Sequence, residues 1–239
     1  MTRSVTSVLS LAALAALSAC GGGAASPAGP TPATPAPTPV PTPTAVTARY
    51  SVTFEATWRR ETHPTDFPAS AHFSPLVGGT HSSRVRFWMP GGMASPGIKD
   101  MAERGRTSPL DSEVQAAIAA GTAYGLILGG AIDRSPGEAA AAFQIGRDHP
   151  LVSLVSMVAP SPDWFVGVDS LSLVEGGDWV AEKLVPLFPW DAGTDGGPTY
   201  AAADQPSQPR QAIRLLEGHP VAEEGVVAPF GSYRFRRVD

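Results

Sequence analysis

The chain has 239 residues, a formal net charge of −5, 25 glycines, 25 prolines and one cysteine, Cys20. This mildly acidic composition contains no basic stripe, so nucleic acid is not an expected partner. A lone cysteine allows no disulfide within the chain, so packing, or packing with a metal, must hold the fold together.

The N-terminus reads as a targeting segment. Arg3 supplies a positive start, and residues 5–17 form an apolar run too short to span a bilayer but of the length of a secretory h-region. Leu17-Ser18-Ala19-Cys20-Gly21 follows and resembles a bacterial lipobox. That implies a signal peptide over residues 1–19, cleavage before Cys20, and lipidation of Cys20, which would tie the protein to a membrane. The alternative is an ordinary signal peptide with an incidental cysteine, but Cys20 is the only cysteine and sits directly after the h-region. Gly21 in place of an acid favours the outer membrane in a two-membrane cell. The expected location is therefore the cell envelope, lipid-anchored at the outer membrane or cell surface. Residues 20–48 carry proline at every second position from 35 to 43. Such a segment cannot bury a core and prefers extended polyproline geometry, about 3.1 Å per residue, so it reads as a tether.

Residues 49–239 are enough for one domain with a real core. Strands are expected at 50–58, 84–89, 124–128, 141–145, 151–158, 164–168, 170–174 and 233–238, from period-two alternation or short apolar runs. The run 151–158 is nearly continuously apolar, as in a central strand buried on both faces. The last strand is expected beside the first. Ser95 as cap, Pro96 at the first helical position and Gly105 as terminator predict a helix over 95–105, and an alanine-rich stretch predicts another over 111–120. Many short strands and few helices give an all-β class, an antiparallel β-sandwich of about eight strands with short helices in the connections.

Three acids stand out. Asp163 lies in Pro160-Ser161-Pro162-Asp163-Trp164-Phe165, and Asp191 and Asp195 in Pro189-Trp190-Asp191-Ala192-Gly193-Thr194-Asp195-Gly196-Gly197. Were they to converge, mutual repulsion and lost hydration would call for a cation. Hard oxygen ligands favour calcium. The competing reading is local: Asp163 caps a turn, and Asp191 and Asp195 form Asx turns.

The ordered motifs resemble the spondin-domain family, the N-terminal module of F-spondin and mindin. They are Trp58, Thr62-His63-Pro64, Phe67-Pro68, His72-Phe73-Ser74-Pro75-Leu76-Val77-Gly78, His81, His149-Pro150-Leu151-Val152-Ser153, and the two acidic segments above, the first continuing to Val166-Gly167. The resemblance implies an eight-stranded antiparallel β-sandwich and a calcium ion held by Asp163, Asp191 and Asp195. Animal members are secreted matrix proteins that bind cells, matrix or microbial surfaces. This chain departs from them in carrying a single cysteine, and on this reading it is expected to lack their C-terminal thrombospondin repeats and their free secretion.

Other polar residues invite blander readings. His63, His72, His81 and His149 fit no compact zinc spacing, so they are expected to make structural hydrogen bonds. Ser153 and Ser156 lack a nucleophile elbow and are expected to be buried hydroxyls bonded to backbone. Trp164 and Trp190 are expected to be packing walls, and Arg234, Arg236 and Arg237 a solvated strand face. The function expected is a non-enzymatic calcium-binding module on the bacterial envelope, docking an extracellular protein or glycan. The alternatives are a metal-dependent envelope hydrolase using the same acidic loops and a purely structural spacer.

Overall fold

A computed structural model describes residues 46–239. The expected signal peptide, Cys20 and nearly all of the tether lie outside the described residues. In chain order the elements are β1 (Thr47–Ala56), β2 (His72–Phe73), β3 (Val77–His81), α1 (Pro96–Arg104), α2 (Leu110–Ala119), β4 (Ala123–Leu128), β5 (Gly137–Gly146), β6 (Leu151–Ala159) and β7 (Trp164–Ser172). Then come β8 (Val174–Glu175), β9 (Asp178–Trp179), β10 (Glu182–Leu187), β11 (Trp190–Asp191), β12 (Arg214–Leu215), β13 (Ala222–Glu223), β14 (Val226–Val227) and β15 (Gly231–Arg237). Among the described residues no helix is long and apolar enough to cross a membrane.

Two antiparallel sheets form the sandwich. The smaller runs β10-β15-β1-β5; the larger runs β12-β11-β7-β6-β3-β4, with β2 also paired to β6. The closing strand pairs with the first, Tyr50 opposite Arg237 through Ala56 opposite Gly231. Between the sheets, Tyr50, Phe54, Tyr233 and Phe235 from the smaller sheet meet Val152, Leu154, Val158 and Val166 from the larger. Trp58 stacks on Phe230 with ring centroids 5.1 Å apart at one end of this core. Complete burial of each such side chain contributes about 1.5–3 kcal/mol before entropy is counted.

A second core covers the outer face of the larger sheet. Ile98, Met101 and Ala102 of α1 and Leu110 and Val114 of α2 pack with Val155, Met157 and Phe165. This extra layer explains β6, whose residues 152–159 are all buried: successive side chains enter alternate cores, so neither face tolerates charge.

The helix caps form as the sequence dictates. Ser95 accepts a hydrogen bond from the Ile98 amide at 3.1 Å, and Gly105 ends α1 with φ +64. Glu113 of α2 joins this cap, accepting from Gly97 N and from Ser95 Oγ, both at 2.7 Å. Ser95→Ala removes one acceptor and leaves Glu113 in place. It is expected to lower stability by about 1 kcal/mol, read as a lower urea midpoint with an unchanged slope.

Residues 84–89 are not a strand. Both edges of the preceding strand β3 are occupied, by β4 and β6, so the segment after it has no ladder to join. It instead lays Phe87 and Trp88 on the outer face of the larger sheet, with Trp88 Nε1 donating to Val168 O at 3.2 Å. The two strands expected at 164–168 and 170–174 are largely one, β7, carrying a bulge opposite Ser153. There Ser170 takes φ +50 and its amide donates to Ser153 Oγ at 3.0 Å. Strands β3 and β10, and the two-residue strands β2, β9 and β11 to β14, lie outside the expected set. In β3 the glycines conceal a central strand, because a Cβ at Gly78 would lie 2.0 Å from Ser153 O.

Candidate metal centre

The two acidic segments meet at one end of the larger sheet. The turn after β6 delivers Asp163, held in shape by Ser161 Oγ, which accepts from Trp164 N at 3.0 Å. Strand β11 pairs with β7 so that Asp191 stands opposite Trp164, and Ala192 N donates to Asp163 O at 3.2 Å. All three acids are buried: Asp163 is 0% exposed, Asp191 and Asp195 6%.

Each carboxylate is tied down. Asp163 Oδ2 accepts from Thr194 N (2.6 Å), Thr194 Oγ1 (3.1 Å) and Asp195 N (3.0 Å). Asp191 Oδ1 accepts from Gly193 N at 2.7 Å, and its Oδ2 from Arg214 Nη2 at 2.7 Å. Asp195 Oδ1 accepts from Gly197 N and Oδ2 from Gln205 N, each at 2.8 Å. The two i-to-i+2 bonds are the Asx turns that the local reading anticipates. Among the described residues no three such side chains form a ready-made ligand set.

One oxygen does not fit a purely local account. Asp163 Oδ1 is buried and has no hydrogen-bond partner. Burial pushes the Asp163 carboxyl up to about 6, and the charge of Asp191 adds to the rise; the bonds from Thr194 and Asp195 oppose it. A buried acceptor left unpaired costs about 1–3 kcal/mol. A cation beside Oδ1 would supply the missing partner and offset the repulsion from Asp191. A buried, unpartnered carboxylate oxygen in a carboxyl group that feels the charge of a second carboxylate is chemically suited to a hard dication.

Two clefts border the acidic loops, while Asp163 itself lies beneath the surface. A cleft of about 170 Å³ is lined by Lys99, Glu103, Ser161, Pro162, Asp195 and Asp204. Another, of about 250 Å³, is lined by Trp164, Asp191, Asp195, Arg214, Leu216 and His219. Asp195 borders both.

A Spondin_N family model matches residues 48–227, three-quarters of the chain and the whole of this site. The chain belongs to the spondin-domain family. It is 36% identical to Spondin-2 of Homo sapiens over 170 residues, 70% of this chain and 51% of that protein. To Spondin-1 of Mus musculus it is 37% identical over 186 residues, 73% of this chain and 23% of that protein. This spondin-domain chain thus spans about half the length of Spondin-2 and about a quarter of Spondin-1.

The histidines and serines that the sequence singles out in the spondin domain have structural partners. His63 bonds Thr62 Oγ1 and Ala228 O, His72 bonds Ser70 O, and His149 bonds Gly121 O. Ser156 Oγ donates to Ser74 O at 2.7 Å. Ser153 differs from expectation, because its hydroxyl also meets His81 Nε2 at 2.9 Å, while His81 Nδ1 bonds Ser82 O. Both residues are sealed in the interior. Trp164 packs edge-on against Tyr200, and Trp190 against Trp88. Arg234 bridges Glu55 and Glu182 on the outer face of the smaller sheet.

Sequence reasoning missed the segment that closes the site. Gln205, Gln211 and Arg214 belong to a stretch without strand or helix periodicity. Only long-range pairing reveals them: Ser207 N donates to Thr194 O and Gln211 N to Gly193 O, and β12 pairs with β11.

Proposed function

We propose that this spondin-domain protein is a calcium-stabilised, non-enzymatic adhesion or ligand-binding module, displayed on the cell envelope through lipidated Cys20. The observation that carries the calcium reading is Asp163 Oδ1, a buried and unpartnered oxygen of a carboxyl group that feels the charge of Asp191. Asp163, Asp191 and Asp195 would hold the ion, and backbone carbonyls or water would complete its six to eight oxygen ligands. When bound, calcium supplies charge balance and cross-links the β6–β7 turn to the 191–197 loop. The loops then present a fixed surface for an extracellular protein or glycan. The adhesion role is the one that the family resemblance implies. The envelope setting is supported by the apolar leader, the Leu17-Ser18-Ala19-Cys20-Gly21 motif and the proline-rich tether.

Calorimetric titration with calcium chloride tests the site. The wild type is expected to bind calcium and to melt several degrees higher at saturation, since a ligand selective for the native state stabilises it by mass action. Asp163→Ala and the double variant Asp191→Ala/Asp195→Ala are expected to lose both effects. Equal calcium binding by wild type and both variants would remove these residues from the site.

A further inference from the structure

The candidate cation site already contains one positive charge. Arg214 stands directly opposite Asp191 in the β11–β12 pair, and its Nη2 lies 2.7 Å from Asp191 Oδ2. The Arg214 side chain is 66% exposed, whereas that of Asp191 is 8% exposed. The guanidinium therefore lies largely in solvent, joined to a carboxylate that lies largely out of it. Among the described residues, Arg214 is the cationic side chain hydrogen-bonded to one of the three site carboxylates. Lys99 and Arg104, in the neighbouring cleft, are paired with Glu103 and Asp100 instead.

The geometry points to Arg214 as the residue that sets the cation affinity of this site, an inference that rests on the calcium reading above. Asp191 Oδ1 is taken by the Gly193 amide. Oδ2 is then the oxygen through which Arg214 offsets the charge that an incoming cation would meet. Three carboxylates carry −3, and a dication with one guanidinium carries +3. The cluster is thus balanced when a dication is bound and Arg214 stays in place, and it is only −2 before loading. Affinity for calcium follows the charge of the ligand set, so Arg214 weakens binding while keeping the metal-free loops from mutual repulsion. Loading then tracks external calcium instead of being permanent.

Charge scaling makes the inference specific. One unit charge a few ångströms from a dication in near-aqueous surroundings changes affinity on the order of tenfold. The same charge repels a trication one and a half times as strongly, a factor of roughly thirty. Arg214→Gln is therefore expected to bind calcium about tenfold more tightly than wild type and to gain still more for terbium. Arg214→Lys keeps the charge and is expected to stay near wild type. Arg214→Met keeps the apolar stem and should match Arg214→Gln, which guards against one variant failing to fold.

Calcium affinity is measured by calorimetry. Terbium affinity is measured by luminescence excited through tryptophan, because Trp164 and Trp190 adjoin Asp163 and Asp191 in the chain. Circular dichroism confirms that each variant is folded. Tighter calcium binding in both charge-neutral variants, with a larger gain for terbium, is the expected result. Calcium binding that is unchanged or weaker in those variants, with wild type still binding, overturns the role of Arg214 alone. Absence of calcium and terbium binding in every protein, wild type included, overturns the cation site and this inference with it.

Discussion

Asp163→Asn is expected to make the metal-free protein more stable at pH 7.5 while abolishing its response to calcium. The folded protein holds the Asp163 carboxyl at about 6 against an ordinary 3.8. This gap of about two pH units corresponds to roughly 3 kcal/mol of disfavoured ionisation. An asparagine keeps one oxygen for the amides of Thr194 and Asp195, and it removes the charge that Asp191 repels. Some of the gain is lost to imperfect fit, so the net expected stabilisation is about 2 kcal/mol.

The pH dependence has a definite sign. The folded pKa lies above the unfolded one, so between them the folded state binds more protons. The contribution of Asp163 is fully present below about 4 and is lost as pH rises through about 6. Burial instead pulls His63 and His81 below their usual 6.5. Their contribution is present above 6.5 and lost as pH falls below it, opposite in sign. Comparing Asp163→Asn with wild type cancels the histidines. Urea unfolding with chelator from pH 4 to 7.5 is expected to show a variant advantage that grows from near zero to its full value by pH 7. With calcium at a hundred times its dissociation constant, wild type gains about 2.7 kcal/mol and the order of stabilities reverses. A variant less stable than wild type in chelator at pH 7.5 would show that the ionised Asp163 carboxylate carries no net cost.

What could be read in the sequence divides by range. The ends of α1 are local chemistry, with Ser95, Pro96 and Gly105 acting within one turn, and they were legible. Strand β6 was legible because burial on both faces leaves an unbroken apolar run. Strand β3 was not, since Gly78 and Gly79 are there to admit Ser153 O and Val114 Cγ1, and glycine in a sequence suggests a turn. Residues 84–89 misled because alternation reports two-sided packing without reporting whether a neighbouring strand edge is free. At the site the acids and their glycines were visible as a motif. Arg214, 23 residues beyond Asp191, was not, because nothing in its own neighbourhood marks it as part of the cluster.

Gly193 is where loop geometry and site depend on one residue, and Gly193→Ala is expected to disable both. Its φ is +73, and forcing alanine into the left-handed region costs about 1 kcal/mol. The larger effect is steric: a Cβ at this position would lie 2.1 Å from Gln211 O and 2.6 Å from Gln211 C. That contact is with backbone, so relief requires the 211–213 segment to move. Moving it breaks the 2.7 Å bond from Gln211 N to Gly193 O and shifts Arg214 from its place opposite Asp191. Strain and lost bonds together are expected to cost about 3 kcal/mol, and calcium binding is expected to fall with them. Gly196 provides the control in the same loop. A Cβ there meets nothing closer than Gln205 O at 3.6 Å, so Gly196→Ala is expected to stay within about 0.5 kcal/mol of wild type. Urea unfolding and calcium titration of the two alanine variants side by side separate the explanations. If the loop needs glycine only for looseness, both variants lose similarly. If it needs a left-handed residue without a side chain against Gln211, the loss is confined to Gly193→Ala.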